Sequence, residues 1–258
     1  MVTSKVGYLV TFRKGGKAEV YRTSDGGRTW QRRLRAQVDL LAAVRFRSST
    51  LGWVVGRNGT VLRTTNGGRT WTKQRSATRQ TLYAVSFPSN RVGYAAGAAG
   101  VVIKTTNGGV RWTRKSSGTK VDLYGVDFVS TRKGWVVGGG AVGVCRQTSD
   151  GGTTWRPKRP KGSSLPPLVA VDFVDASTGW VIGNTGTFPT FTGKIFKLTG
   201  GGSTWIDQTG AVTPGPLADA LVGLRCVGTI HGYAVGQRLV MVHSDDGSTW
   251  SLQHLAAP

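Results

Sequence analysis

Thr64-Thr65-Asn66-Gly67-Gly68-Arg69-Thr70-Trp71 is one of six near-copies of a short turn that closes on tryptophan. The others occupy residues 23–30, 105–112, 148–155, 198–205 and 243–250. Their closing tryptophans lie 41, 41, 43, 50 and 45 residues apart. A steady period of this length marks a small unit that cannot cover its own apolar faces and is stacked until neighbours cover them.

The parts around each turn recur in one order. Near Trp71 they are Leu41-Ala42-Ala43-Val44-Arg45-Phe46, Gly52-Trp53-Val54-Val55-Gly56, Thr60-Val61-Leu62-Arg63-Thr64 and Thr70-Trp71-Thr72-Lys73-Gln74. Short runs rich in Val, Phe, Trp and Thr, punctuated by Gly and Asn, read as strands joined by tight turns. The expected fold is all-β: a six-bladed β-propeller in one domain over residues 1–258, with four-stranded blades and the turn between third and fourth strands. The first unit begins at its second strand, so the first blade is expected to lack its inner strand, an edge to which a partner strand can add. A Gly-aromatic pair opens every second strand: Gly7-Tyr8, Gly52-Trp53, Gly93-Tyr94, Gly134-Trp135, Gly179-Trp180 and Gly232-Tyr233. These pairs and the six turns use all nine tryptophans as core.

In the turn, Asp25, Asn66, Asn107, Asp150 and Asp245 are expected to accept bonds from backbone N–H groups just downstream. Gly27, Gly68, Gly109, Gly152, Gly202 and Gly247 suit positive φ. Gly200 stands where the fifth copy would have its acid. A carboxylate repeated around a symmetric scaffold reads as structure, because catalysis needs one asymmetric constellation.

The pattern Thr/Ser-x-Asp-x-Gly-x-Thr-Trp is that of the Asp-box, or BNR, repeat. The longer pattern Val85-Ser86-Phe87, Gly93-Tyr94, Gly97, Thr105-Thr106-Asn107-Gly108-Gly109 and Trp112 resembles the photosystem II stability and assembly factor family. Members of that family have seven blades and an export signal, against six units and no such signal here. The resemblance implies a basic patch on the propeller that docks a client protein.

Charge is lopsided. Through Lys161 there are 30 basic and 6 acidic residues, a net +24; beyond it, 4 and 6 give −2. Many cations follow the turn tryptophan, on the outermost strand of blades one to four and the loop leaving it. They are Arg32, Arg33 and Arg35; Lys73, Arg75 and Arg79; Arg114, Lys115 and Lys120; and Arg156, Lys158, Arg159 and Lys161. Guarding an edge strand against aggregation accounts for a few lysines. It accounts neither for the preference for arginine nor for the two bare blades. A rim that grips an acidic protein surface or larger assembly is the first reading, arginine forking onto carboxylates.

Several alternatives stand behind it. One is a structural or tail-associated component of a virion or other particle. Nucleic acid is second choice as a ligand, since the aromatics that would stack on bases are used in the repeat. Glycan binding or sialidase chemistry is weaker still, as Glu19 is the only glutamate. No enzyme activity, cofactor or metal is expected: Cys145 and Cys226 read as buried free thiols, and His231, His243 and His254 lack a ligand cluster. No run is apolar enough to span a membrane, and the start at Met1 shows no signal peptide, which points to the cytoplasm or a particle. The fifth repeat carries an insertion at residues 184–192, in which Phe188 and Phe191 are a candidate specificity loop.

Overall fold

β-Branched and aromatic residues suit a pleated ladder, and the Gly and Asn pairs break it at fixed points. The computed structural model describes residues 3, 5–11, 17–36, 40–160, 162, 164–186, 191–213, 220–236 and 240–254. Each repeat forms an antiparallel sheet, and six such sheets make the blades of a β-propeller. Residues 1–120 form one compact unit with the first three blades, and residues 121–258 a second with the last three.

The first blade is β1 (Gly7–Thr11), β2 (Glu19–Thr23) and β3 (Gln31–Arg35), three strands among the described residues. The second is β4 (Leu41–Phe46), β5 (Gly52–Gly56), β6 (Val61–Thr64) and β7 (Thr72–Lys73). The third is β8 (Leu82–Ser86), β9 (Gly93–Gly97), β10 (Val102–Thr105) and β11 (Thr113–Lys115). The fourth is β12 (Leu123–Phe128), β13 (Gly134–Gly139), β14 (Gly143–Thr148) and β15 (Arg156–Pro157). The fifth is β16 (Leu168–Phe173), β17 (Gly179–Thr185), β18 (Thr192–Thr199) and β19 (Thr204–Asp207). The sixth adds a strand to its outer edge: β20 (Val212–Thr213) runs parallel to β24 (Trp250–His254), beyond β23 (Val240–Ser244), β22 (His231–Gly236) and β21 (Leu221–Val227).

Innermost strands share a bulge just after a leucine, as between Leu82 and Ala84. One extra residue shifts the alternation, so Leu82 and Val85, three apart, face the same side and are both buried. The bulge therefore explains the Leu-x-x-Val-x-Phe pattern of these strands.

That terminal Phe organises the contact between blades. Phe87 stacks on Trp53 of the preceding blade at 3.5 Å between centroids and meets its own blade's Trp112 edge-on at 5.6 Å. Phe46 does the same between Tyr8 and Trp71, at 3.4 and 5.9 Å. In residues 121–258, Trp135 stacks on Phe173 at 3.5 Å, and Phe128 meets Trp155 edge-on at 6.0 Å. The Gly of each Gly-aromatic pair makes room for the ring: a Cβ on Gly93 would lie 2.4 Å from Phe87. Polar tips are satisfied across the same boundary. The Trp53 indole N–H donates to Gly108 O at 2.9 Å, and that of Trp135 to Gly201 O at 3.0 Å. Such stacked and edge-on pairs add to the free energy of burying the rings.

Two turn tryptophans differ sharply: Trp250 is fully buried, whereas Trp30 is 38% exposed. Its blade has, among the described residues, no inner-strand Phe to pack against it. Trp30 thus departs from the expectation that every tryptophan is core. Cys145 and Cys226 are free and buried, and burial pushes the Cys145 thiol up to about 12 and that of Cys226 higher still.

Candidate functional site

The Asp-box turns bind themselves. Thr23 Oγ1 accepts from Gly27 N–H at 2.9 Å, and its hydroxyl donates to Asp25 Oδ1 at 2.7 Å. Asp25 Oδ1 also accepts from Thr29 N–H at 3.0 Å. Thr148, Asp150, Gly152 and Thr154 repeat the set. Asn66 and Asn107 do the same with an amide oxygen, accepting from Thr70 and Arg111 N–H at 2.9 and 3.0 Å. Both glycines of the second turn, Gly67 and Gly68, have positive φ, at 71° and 81°. The sixth turn is one residue shorter, which corrects the expected position of its acid. Asp246, not Asp245, accepts from Ser248 and Thr249 N–H, each at 2.7 Å. Asp245 instead lies 3.1 Å from His231 Nδ1 and 3.3 Å from His243 Nε2.

These bonds fix the titration of the turns. The Thr29 hydroxyl and then the Thr29 N–H hold Asp25 well below the usual carboxylate range, as Thr154 does for Asp150 and Thr249 for Asp246. A depressed folded value stabilises above the unfolded pKa near 3.9 and is lost as pH falls toward the folded one. Asp150→Asn, which copies Asn66 and Asn107, is therefore expected to shrink the fall in the urea midpoint between about pH 4 and pH 2. An acid limb identical to the wild type's would place that sensitivity elsewhere.

The rim cations sit where the outer strands are. Arg32, Arg33 and Arg35 lie on β3, Lys73 on β7, Arg114 and Lys115 on β11, and Arg156 on β15. Arg79 and Lys120 are exposed in the loops beyond, as is Arg159, with Lys158 half-buried; Lys161 lies outside the described residues. Among the described residues, Arg32 and Arg35 are the rim members with a carboxylate in reach, both on Glu19 Oε1 at 3.1 and 3.9 Å. Arg75 belongs to a strap that reaches the next blade, its carbonyl accepting from Trp112 N–H at 3.2 Å. Lys158 packs its stem beside Gly202.

Phe188 lies outside the described residues, and Phe191 is half-buried in a groove of about 1020 Å³ with Tyr124, Pro160, Pro166 and Trp205. A second cleft, of about 360 Å³, was not anticipated from the sequence. It brings Arg22 and Arg69 to the rim's Arg33 on the Asp-box side of the first two blades. Charge counting pointed to the outer strands alone, and only the register of neighbouring sheets joins a third-strand arginine to a turn arginine. Among the described residues, no group of three His, Cys, Asp or Glu is placed to hold a metal. No helix there is long and apolar enough to cross a membrane.

Comparison with known proteins places this geometry. The family described as photosynthesis system II assembly factor YCF48 matches residues 2–74 and 34–122. No curated protein matches the sequence. The solved structure of YCF48 bound to D1 peptide is similar with a TM-score of 0.69 at 20% identity, over 97% of this chain and 78% of that one. YCF48 from Cyanidioschyzon merolae gives 0.65 at 18%, over 98% and 86%. The GH74 enzyme of Niastella koreensis gives 0.70 at 18%, over 97% of this chain but 46% of that enzyme. Repeat, blade order and turn chemistry agree: the chain is an Asp-box β-propeller that resembles the photosystem II stability and assembly factor family.

Proposed function

We propose that this protein is a non-catalytic binding scaffold that docks an acidic protein partner through the arginine-rich rim of its first four blades. The observation that carries the reading is that the outer strand of each of these blades bears largely exposed cations, of which, among the described residues, two meet a carboxylate, that of Glu19. A field of one sign raises encounter rates with an oppositely charged partner. Absence of catalysis is supported by the Asp-box carboxylates, whose oxygens are taken up within their own turns. The similar structure of YCF48 with a D1 peptide supports a protein as the kind of partner.

The test is fluorescence anisotropy of a poly-glutamate peptide against the full chain. Exposed Lys73 and Arg114 and half-buried Lys115 are changed together to glutamine. Affinity is expected to fall about tenfold in the variant and to weaken steadily with salt in the wild type. Equal affinities for the two proteins would sink the reading. Preference for duplex DNA over the peptide at the same salt would move the function to nucleic acid, with a log–log salt slope of about −0.9 per phosphate neutralised.

A further inference from the structure

We propose that the cleft between the first and second blades is a binding site for a tetrahedral oxyanion of the phosphate class. Arg22, Arg33 and Arg69 converge on it, with the hydroxyl-bearing Ser49 and Thr65 in the lining and no carboxylate there among the described residues. Three guanidinium groups held in about 360 Å³ repel one another unless an anion lies between them.

The scaffold does not require them. Arg22 faces Tyr8 across the ladder as Arg63 faces Trp53 and Gln147 faces Trp135. Arg33 follows its turn tryptophan by three residues, as do Gln74 and Lys158. Arg69 holds the turn position of Val110 and Ser203. The second-to-third boundary thus has Arg63, Gln74 and Val110, and the fourth-to-fifth has Gln147, Lys158 and Ser203. One fold accepts all three sets, and only the first gathers three arginines.

Arg33 is also held in place. The Arg33 stem packs beside Gly68, its Nη2 donates to Gln31 Oε1 at 3.1 Å, and its Nε is buried with no partner among the described residues. The backbone beneath is already satisfied: the Tyr8 hydroxyl donates to Ser49 O at 3.1 Å and Gly67 O at 3.3 Å, and Gly67 N–H donates to Thr50 O at 2.8 Å. What remains on offer is guanidinium and hydroxyl donors. A planar carboxylate is saturated by one or two forks, whereas a phosphate carries more charge and has oxygens for three.

The site shares only Arg33 with the proposed rim, and the rim variant above leaves all three cleft arginines in place. Inorganic phosphate is titrated calorimetrically into the full chain at fixed ionic strength. Saturable one-site binding is expected, weakened about tenfold or more in Arg33→Gln and in Arg69→Val, and unchanged in Arg114→Gln. The first two copy the residues of the next boundary, so the fold has a precedent for both. No saturable binding by the wild type, or equal weakening by Arg114→Gln, would overturn the site. Acetate competing as well as phosphate would overturn the ligand class and return the cleft to the acidic-partner reading. Tighter binding of glycerol 3-phosphate than of phosphate would assign the site to phosphomonoesters, and equal binding to the free ion; both uphold it.

Discussion

Phe87→Ala is expected to destabilise the protein by about 3–5 kcal/mol, read from the shift of the urea unfolding midpoint. The ring is fully buried, lies flat on Trp53 and receives the edge of Trp112. Its removal leaves a cavity whose walls are the Trp53 and Trp112 indoles and the strand backbone at Gly93. Those walls cannot close: Trp53 is tied through its N–H to Gly108 O, and Trp112 through its own to Gly109 O at 3.0 Å. Gly93 has no side chain to advance into the space. Phe87→Leu keeps much of the volume and loses the ring contacts, so roughly half the cost is expected from it. A cost below about 1 kcal/mol for the alanine variant would mean that the stack contributes little to holding the second and third blades together.

The same residues show how much of the fold is legible in the sequence. Strand order, turn chemistry and the Gly-aromatic pairs repeat at a fixed period, and repetition turns weak local preferences into a strong joint one. Which ring meets which was hidden, because stacking joins Trp53 to Phe87, 34 positions apart, across a blade boundary. Deviations from the period were hidden too. The sixth turn reads as a normal copy when aligned on His243, and only its hydrogen bonds reveal that one residue is missing and that Asp246 has taken the acid's place. The two-residue strand at Val212 has no alternation to detect; its existence depends on the free edge of β24. For the candidate site, the outer-strand cations were legible from their spacing after each tryptophan. Arg22 and Arg69 were not, since neither lies in a charge run: strand pairing within the first blade sets Arg22 beside Arg33, and packing of the second blade on the first brings Arg69 to both.

The shortened sixth turn leads to the second large effect. Where Trp53 and Trp135 donate directly to a turn glycine carbonyl, Trp180 does not; its indole N–H donates to Gln208 Oε1 at 3.0 Å. The same oxygen accepts from Trp250 N–H at 3.1 Å, and Gln208 Nε2 donates to Gly247 O at 3.0 Å. The amide thus spans the gap that the missing residue leaves. Cys226 pairs with Gly232 in this blade, at the register position that Phe173 holds opposite Gly179 in the preceding one. Among the described residues, no Phe therefore separates the two indoles. Gln208→Leu keeps the apolar bulk and removes the acceptor, stranding two buried N–H groups at about 1–3 kcal/mol each. A loss of about 2–5 kcal/mol in urea unfolding is expected. Gly247 O retains the Lys197 ammonium as donor at 2.9 Å, so the loss is assigned to the indoles. Gln74, also three residues after its turn tryptophan, supplies the internal control. Its side chain donates locally to Thr72 O at 2.9 Å, and Trp53 does not depend on it. Gln74→Leu is expected to cost under about 1 kcal/mol. Equal costs at the two positions would show that the bridge is incidental and that the sixth blade tolerates its short turn by other means.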